Sequence, residues 1–224
     1  MPSPTLESTL RFLNELSLNN NKPWFDAHRA QFDVARAAFY QLIDTVIDEF
    51  RAPDNLQALT AKDCTARIFR DIRFSRDKSP YKTNLSAYIA VGGLRSGRQG
   101  YYVSVGAQGE SMAAGGLHDP SPEQLLRFRE AIDHDSAPLK AILTAPAFVS
   151  AFGALDGERL KTVPRGFDPA HPDIALLQLK GATAIQRFSD AEVTAPDFPA
   201  RVIASCRAMR PFLNYLDDIL AGES

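Results

Sequence analysis

With 224 residues the chain can bury one good core, and 45% apolar with 23% charged residues is the composition of a folded globular protein, well away from disorder. No apolar stretch approaches the roughly 20 residues that a membrane helix requires, and the start Met1-Pro2-Ser3-Pro4-Thr5 lacks the basic-then-apolar pattern of a signal peptide. A cytoplasmic protein with no membrane partner is therefore expected, and the two cysteines, Cys64 and Cys206, fit a reducing compartment as buried small hydrophobes.

In chain order, Ser3-Pro4 reads as a helix start, and Leu6, Leu10, Leu13 and Leu16 recur at helical spacing to about Ser17. The run Asn19-Asn20-Asn21-Lys22-Pro23 breaks that helix. A second helix is predicted to carry Phe25, Phe32, Phe39, Leu42, Ile43, Val46, Ile47 and Phe50 on one side and to stop before Pro53. These two make an antiparallel pair over residues 1–53, with the asparagine turn at its tip.

The period then changes to two. Cys64, Ala66, Ile68, Ile72 and Phe74 alternate with Thr65, Arg67, Phe69, Asp71 and Arg73, which predicts a strand with Arg70 alone interrupting its apolar face. Further strands are predicted over Ser86–Val91, Tyr101–Val105 and Met112–Gly116, with the basic loop Gly92-Gly93-Leu94-Arg95-Ser96-Gly97-Arg98 between the first two. Short connections favour an antiparallel meander over residues 60–118.

Helices return over 121–224. Ser121-Pro122-Glu123-Gln124 is a capping box, and shorter helices are predicted near 139–143, near 147–152, and from Pro172 to a stop at Gly181. Ala184–Phe188 reads as a strand, and a last helix starts near Pro196, with Pro211 kinking or restarting it. The fold class is therefore α+β: an N-terminal antiparallel helix pair, a central antiparallel meander sheet, and C-terminal helices packed on the sheet. No linker splits the chain, so residues 1–224 read as a single domain.

Charge singles out the middle. Residues 61–100 hold nine basic groups against three acids, a local +6 that leaves −8 for the rest of a chain whose total is −2. A cationic region on an acidic body suits one bounded anionic ligand better than a long polyanion. The stretch Arg67-Ile68-Phe69-Arg70-Asp71-Ile72-Arg73-Phe74-Ser75-Arg76-Asp77-Lys78-Ser79-Pro80-Tyr81-Lys82 carries most of it.

The string Arg67-x-x-Arg70-Asp71-x-Arg73-Phe74, followed by Asp77-Lys78 and Tyr81, resembles the signature of the domain of unknown function 2461 family. Asn20-Asn21-Lys22-Pro23-Trp24-Phe25, Leu160-Lys161 and Pro164-Arg165-Gly166-Phe167 are similar to its pattern too. The resemblance spans nearly the whole chain and implies a bacterial protein of ordinary length for that family, with related regions in longer fungal chains. It supports a single-domain reading and brings no established activity.

Arginine forks bind phosphate or carboxylate through paired hydrogen bonds, and lysine adds a point charge. The expected site is thus a pocket for a phosphate- or carboxylate-bearing small molecule, binding or enzymatic, with Arg67, Arg70, Arg73, Lys78 and Lys82 as cations. Asp71 and Asp77 orient them, Tyr81 turns back over the strand end, and Trp24 and Asn20 at the helix tip complete the lining. Two alternatives stand beside it: a nucleic-acid-associated module that adds Arg95, Arg98 and Tyr101 or Tyr102, and a structural ion-pair network. No metal is expected, since His28, His118, His134 and His171 have no ligand spacing. No cofactor is expected either, since there is no P-loop, dinucleotide fingerprint or Gly-x-Ser-x-Gly elbow. Nothing in the sequence fixes the oligomeric state.

Overall fold

The computed structural model describes residues 4–221. It begins with α1 (Leu6–Leu18), α2 (Lys22–Ala27), α3 (Arg29–Phe50) and the short α4 (Ala61–Cys64). The strands β1 (Asn84–Ile89), β2 (Tyr101–Gly106) and β3 (Ser111–Leu117) follow. Next come α5 (Pro122–His134), α6 (Ala137–Leu143), α7 (Pro146–Phe152) and α8 (Ile174–Leu177). The chain ends with β4 (Ala182–Phe188), α9 (Asp190–Val193) and α10 (Phe198–Leu220). The four strands are hydrogen-bonded in the order β1-β2-β3-β4, and the sheet is antiparallel, so the fold is α+β as the sequence predicts.

The chain gathers into two compact units. The first takes the chain up to Gly97 together with residues 101–113 and 187–204; the second takes residues 98–100, 114–186 and the chain from Ser205 on.

In the first unit the cap of α1 is Thr5, which exchanges hydrogen bonds with Ser8 at 3.1 and 3.2 Å; the Ser3 cap expected from the sequence lies outside the described residues. The single second helix predicted through Phe25 is broken at His28. The His28 backbone leaves the helical region (φ −108°, ψ 19°), and its ring Nδ1 lies 2.7 Å from the Trp24 carbonyl oxygen, which also accepts the His28 N–H at 3.1 Å. Asn21 caps α2 by accepting the Trp24 N–H at 3.0 Å, with Pro23 in the first turn where its missing N–H costs nothing. α1 and α3 run antiparallel: Thr9 donates to the Ala35 carbonyl at 3.0 Å while Phe12 packs on Phe32.

These two helices meet one face of the β1–β2 ribbon. Cross-strand pairs Leu85/Val105, Ala87/Val103 and Ile89/Tyr101 form that face, and Phe50 of α3 sits 4.7 Å from the Tyr101 ring. The opposite face is polar: Asn84 lies there beside Ser86, Tyr88, Tyr102 and Ser104, and its amide donates to the Ser104 hydroxyl at 2.8 Å.

In the second unit the capping box of α5 is present as read, with Ser121 and Gln124 exchanging bonds at 3.2 and 3.0 Å. The helix expected from Pro172 to Gly181 is shorter and ends at Leu177. Residues 178–180 instead pair with 158–160, through Leu160 N–H to the Gln178 carbonyl and Lys180 N–H to the Glu158 carbonyl. C-terminal helix meets sheet at Gly115 of β3. A Cβ there would lie 2.8 Å from Met209 Sδ and 3.0 Å from the Leu213 side chain of α10, so a larger residue would make those side chains shift. Pro211 does not restart α10, which stays helical through it. The buried residues Met209, Phe212, Leu213 and Leu216 on both sides offset the lost backbone bond.

Candidate functional site

The basic motif is not the strand that its alternation predicts. Thr65 and Phe69 make isolated antiparallel bridges to Ala87 and Tyr81, and Ala66 N–H donates to the Ser86 carbonyl at 2.9 Å. The segment 65–70 therefore lies along the β1 side of the sheet in a broken ladder. Between the two bridges the β1 side carries two extra residues, a bulge between Lys82 and Ser86, opposite Arg67, that interrupts the pairing. Arg70 N–H to the Pro80 carbonyl (2.9 Å) and Lys82 N–H to the Ile68 carbonyl (2.8 Å) close a hairpin whose loop is residues 71–79.

Two side chains prevent that loop from extending. The Asp71 carboxylate accepts the Arg73 N–H at 3.2 Å, and the Asp77 carboxylate accepts the Ser79 N–H at 2.9 Å. Each is an Asx turn, in which a short acidic side chain takes the place of a strand partner. Phe74, expected on a buried face, is consequently 96% exposed.

Arg70 is likewise not sealed in a core. Its side chain is 27% exposed and folds back on its own loop, donating to Asp77, to the Ser79 carbonyl at 3.3 Å and to the Ser75 hydroxyl at 3.4 Å. The Ser79 hydroxyl and amide together hold the Asp77 carboxyl well below its usual value, and Arg70 adds to the shift. Asp77 thus stabilises the folded loop fully above the unfolded carboxyl value of 3.8, and that contribution is lost as pH falls through and below it. Urea unfolding between neutral and strongly acidic pH is expected to show a steeper acid loss for the wild type than for Asp77→Asn; superimposable profiles would remove Asp77 from this role.

Around this hairpin lies an open cleft of about 420 Å³, lined by Ser17, Asn20, Arg70, Asp77, Ser79, Tyr81, Lys82, Thr83 and Asn84. Asn20 is held in place by a two-way bond with Tyr81, its amide donating to the Tyr81 carbonyl (2.9 Å) and its oxygen accepting the Tyr81 N–H (3.1 Å). The Tyr81 ring is buried and stacked on Phe25 at 4.1 Å, so it anchors the hairpin to α2. Lys82 is half-buried, and burial first, then the charge of Arg67, pushes its ammonium below the ordinary lysine value. Among the described residues it has no carboxylate partner.

Of the residues singled out in the sequence, Asn20, Arg70, Asp77, Tyr81 and Lys82 meet in this cleft. Arg67, Arg73, Asp71 and Lys78 are exposed and do not line it. Arg73 grips Asp71 through a bond of 2.6 Å, and Lys78 donates to the Ile72 carbonyl at 2.9 Å, closing the loop from outside. Trp24 is half-buried and stacked on His28 at 4.0 Å, away from the lining. Ser17, Ser79, Thr83 and Asn84 were not singled out. The only hint of the last two is that they follow Lys82 directly, ahead of the predicted strand.

Elsewhere, a groove of about 190 Å³ runs between α1 and α3, lined by Phe12 and Val34 among others, with Arg11 and Glu15 of opposite charge in its wall. Both cysteines are buried, and burial pushes the Cys64 thiol up to about 11, which suits an inert core residue. Among the described residues no three His, Cys, Asp or Glu side chains gather as metal ligands, and no helix is long and apolar enough to cross a membrane.

The family described as conserved hypothetical protein (DUF2461) matches the chain over residues 8–215. The chain belongs to this family. The match takes in both compact units, and hence the hairpin, the cleft and most of α10 of this DUF2461 protein. Neither a curated protein nor a solved structure matches the chain.

Proposed function

We propose that this protein binds a phosphate- or carboxylate-bearing small molecule in the cleft, with Lys82 and Arg70 facing its anionic group. The observation that carries the reading is Lys82. A partly dehydrated ammonium beside the Arg67 guanidinium, with no acid against it among the described residues, costs free energy that a bound anion returns. A lattice made only for stability would pair that charge, as Arg73 is paired with Asp71. The bulge between Lys82 and Ser86 supports the same reading, because the polar residues Thr83 and Asn84 within it line the cleft.

The test is a thermal-unfolding screen against phosphorylated and carboxylated metabolites. A ligand present at a hundred times its Kd raises stability by about 2.7 kcal/mol, and the effect saturates with one site. A broad panel in which no anion stabilises the protein would defeat the reading.

A second reading rests on Phe74. Its exposed ring has the Arg73 guanidinium 5.9 Å from its centre, an arrangement suited to stacking an unpaired base of a single-stranded nucleic acid. Affinity for such a strand would fall steeply with salt, by roughly 0.7 of a logarithmic unit per phosphate contact for each tenfold rise in salt. A metabolite held by two cations shows a shallow slope.

A further inference from the structure

We infer that Asp77 is a built-in occupant of the anion seat, so that the cleft selects phosphate monoesters over carboxylates: only an anion of higher charge displaces Asp77 from Arg70. This rests on the reading of the cleft just given and narrows its ligand class.

Asp77 and Arg70 line the same cleft, and the carboxylate oxygen Oδ2 already takes the guanidinium that a ligand would seek. Its other oxygen is fixed by Ser79, which donates from its amide at 2.9 Å and its hydroxyl at 2.6 Å. A tethered carboxylate held in this way competes at an effective concentration of at least about the millimolar range. A carboxylate ligand offers Arg70 the same chemistry that Asp77 provides, and it surrenders its own translational freedom to do so. It gains too little from Lys82 alone.

A phosphate monoester differs in two respects. It carries a charge of about −1.5 to −2 on three acceptor oxygens, so it can engage both cations that line the cleft, Arg70 and Lys82, through charge-assisted bonds. The loop also keeps its shape when Asp77 leaves Arg70. Its side chain is 60% exposed, so water replaces Arg70, and the two Ser79 bonds keep the turn.

The experiment is calorimetric titration of the whole protein with inorganic phosphate and with acetate, at constant ionic strength and at mildly alkaline pH where phosphate is mostly dianionic. Wild type is expected to prefer phosphate by about tenfold or more, the size of one added charge-assisted contact. Asp77→Asn retains an oxygen to accept from Ser79 but no longer pairs with Arg70. Its affinity for acetate is expected to rise by about tenfold, closing the gap between the two anions. Equal binding of both anions by wild type, or an unchanged acetate affinity in Asp77→Asn, overturns the inference while leaving the cleft an anion site. Absence of binding to either protein overturns the cleft reading together with it. A second measurement needs no variant: the Asp77 carboxyl carbon resonance of wild type should move towards that of a free aspartate as phosphate saturates. A resonance that stays fixed at saturation shows that phosphate binds without displacing Asp77, and the inference fails.

Discussion

Phe25→Ala is expected to lower stability by about 3–5 kcal/mol, the range for removing a fully buried phenylalanine from a packed core. The ring is wholly buried, stacked 4.1 Å from Tyr81 at an interplanar angle of 14°, and flanked by Phe32 at 5.1 Å and Phe12 at 6.2 Å. Those neighbours sit on α1, on α3 and on the hairpin, so collapse of the cavity would require three elements to shift together. The upper part of the range follows from that rigidity. The effect reaches the cleft because Tyr81 lies between the hairpin bonds made by Arg70 and Lys82. Hydrogen exchange at the Arg70 and Lys82 amides should accelerate more than exchange within β2, and urea unfolding should give the total. Phe25→Leu, which refills most of the volume, should recover most of the loss. A deficit below about 1 kcal/mol for the alanine variant would mean that the hairpin is anchored elsewhere.

The parts of the fold that the sequence discloses are those whose causes are local. Helix α5 could be read from Ser121, Pro122 and Gln124 because a capping box lies within one turn, and β1 to β3 from alternation bounded by glycine. The motif at 67–82 misleads for an equally local reason. Its apolar residues alternate, but Asp71 and Asp77 turn the chain with their side chains, and two turn-forming carboxylates outweigh a period of two. Without that strand, the division of the arginines between two faces has no meaning: Arg70 belongs to the cleft because its own loop folds over it. Thr83 and Asn84 were illegible because a bulge depends on the register between 65–70 and 81–87, which no single stretch of sequence encodes. The break at His28 lies in the backbone angles of one residue, which hydrophobic periodicity does not report.

Lys82→Met and Arg70→Ala are expected to act in opposite directions on stability while both abolish anion binding, and the opposition separates a ligand site from an ion-pair network. Arg70 has three partners, so its truncation removes the ion pair with Asp77 and the bonds to the Ser79 carbonyl and the Ser75 hydroxyl, and stability should fall. Among the described residues Lys82 has no acid to lose. Replacing its ammonium with an apolar chain of similar length removes a desolvated charge and its repulsion from Arg67, so the melting temperature should hold or rise. The pH dependence carries the same sign. The folded value of Lys82 lies below 10.5, so the charged form burdens the folded protein at every pH below that folded value. Wild-type stability should therefore gain on Lys82→Met as pH climbs through the folded value towards 10.5, and the two should meet above it. Thermal unfolding with and without saturating phosphate measures both halves. If Lys82→Met melts earlier than wild type without ligand, the ammonium has a structural partner and the charge cluster is a network. If it melts later and loses the phosphate-induced shift, the chain retains a destabilising charge in the cleft, and anion binding is the gain that offsets it.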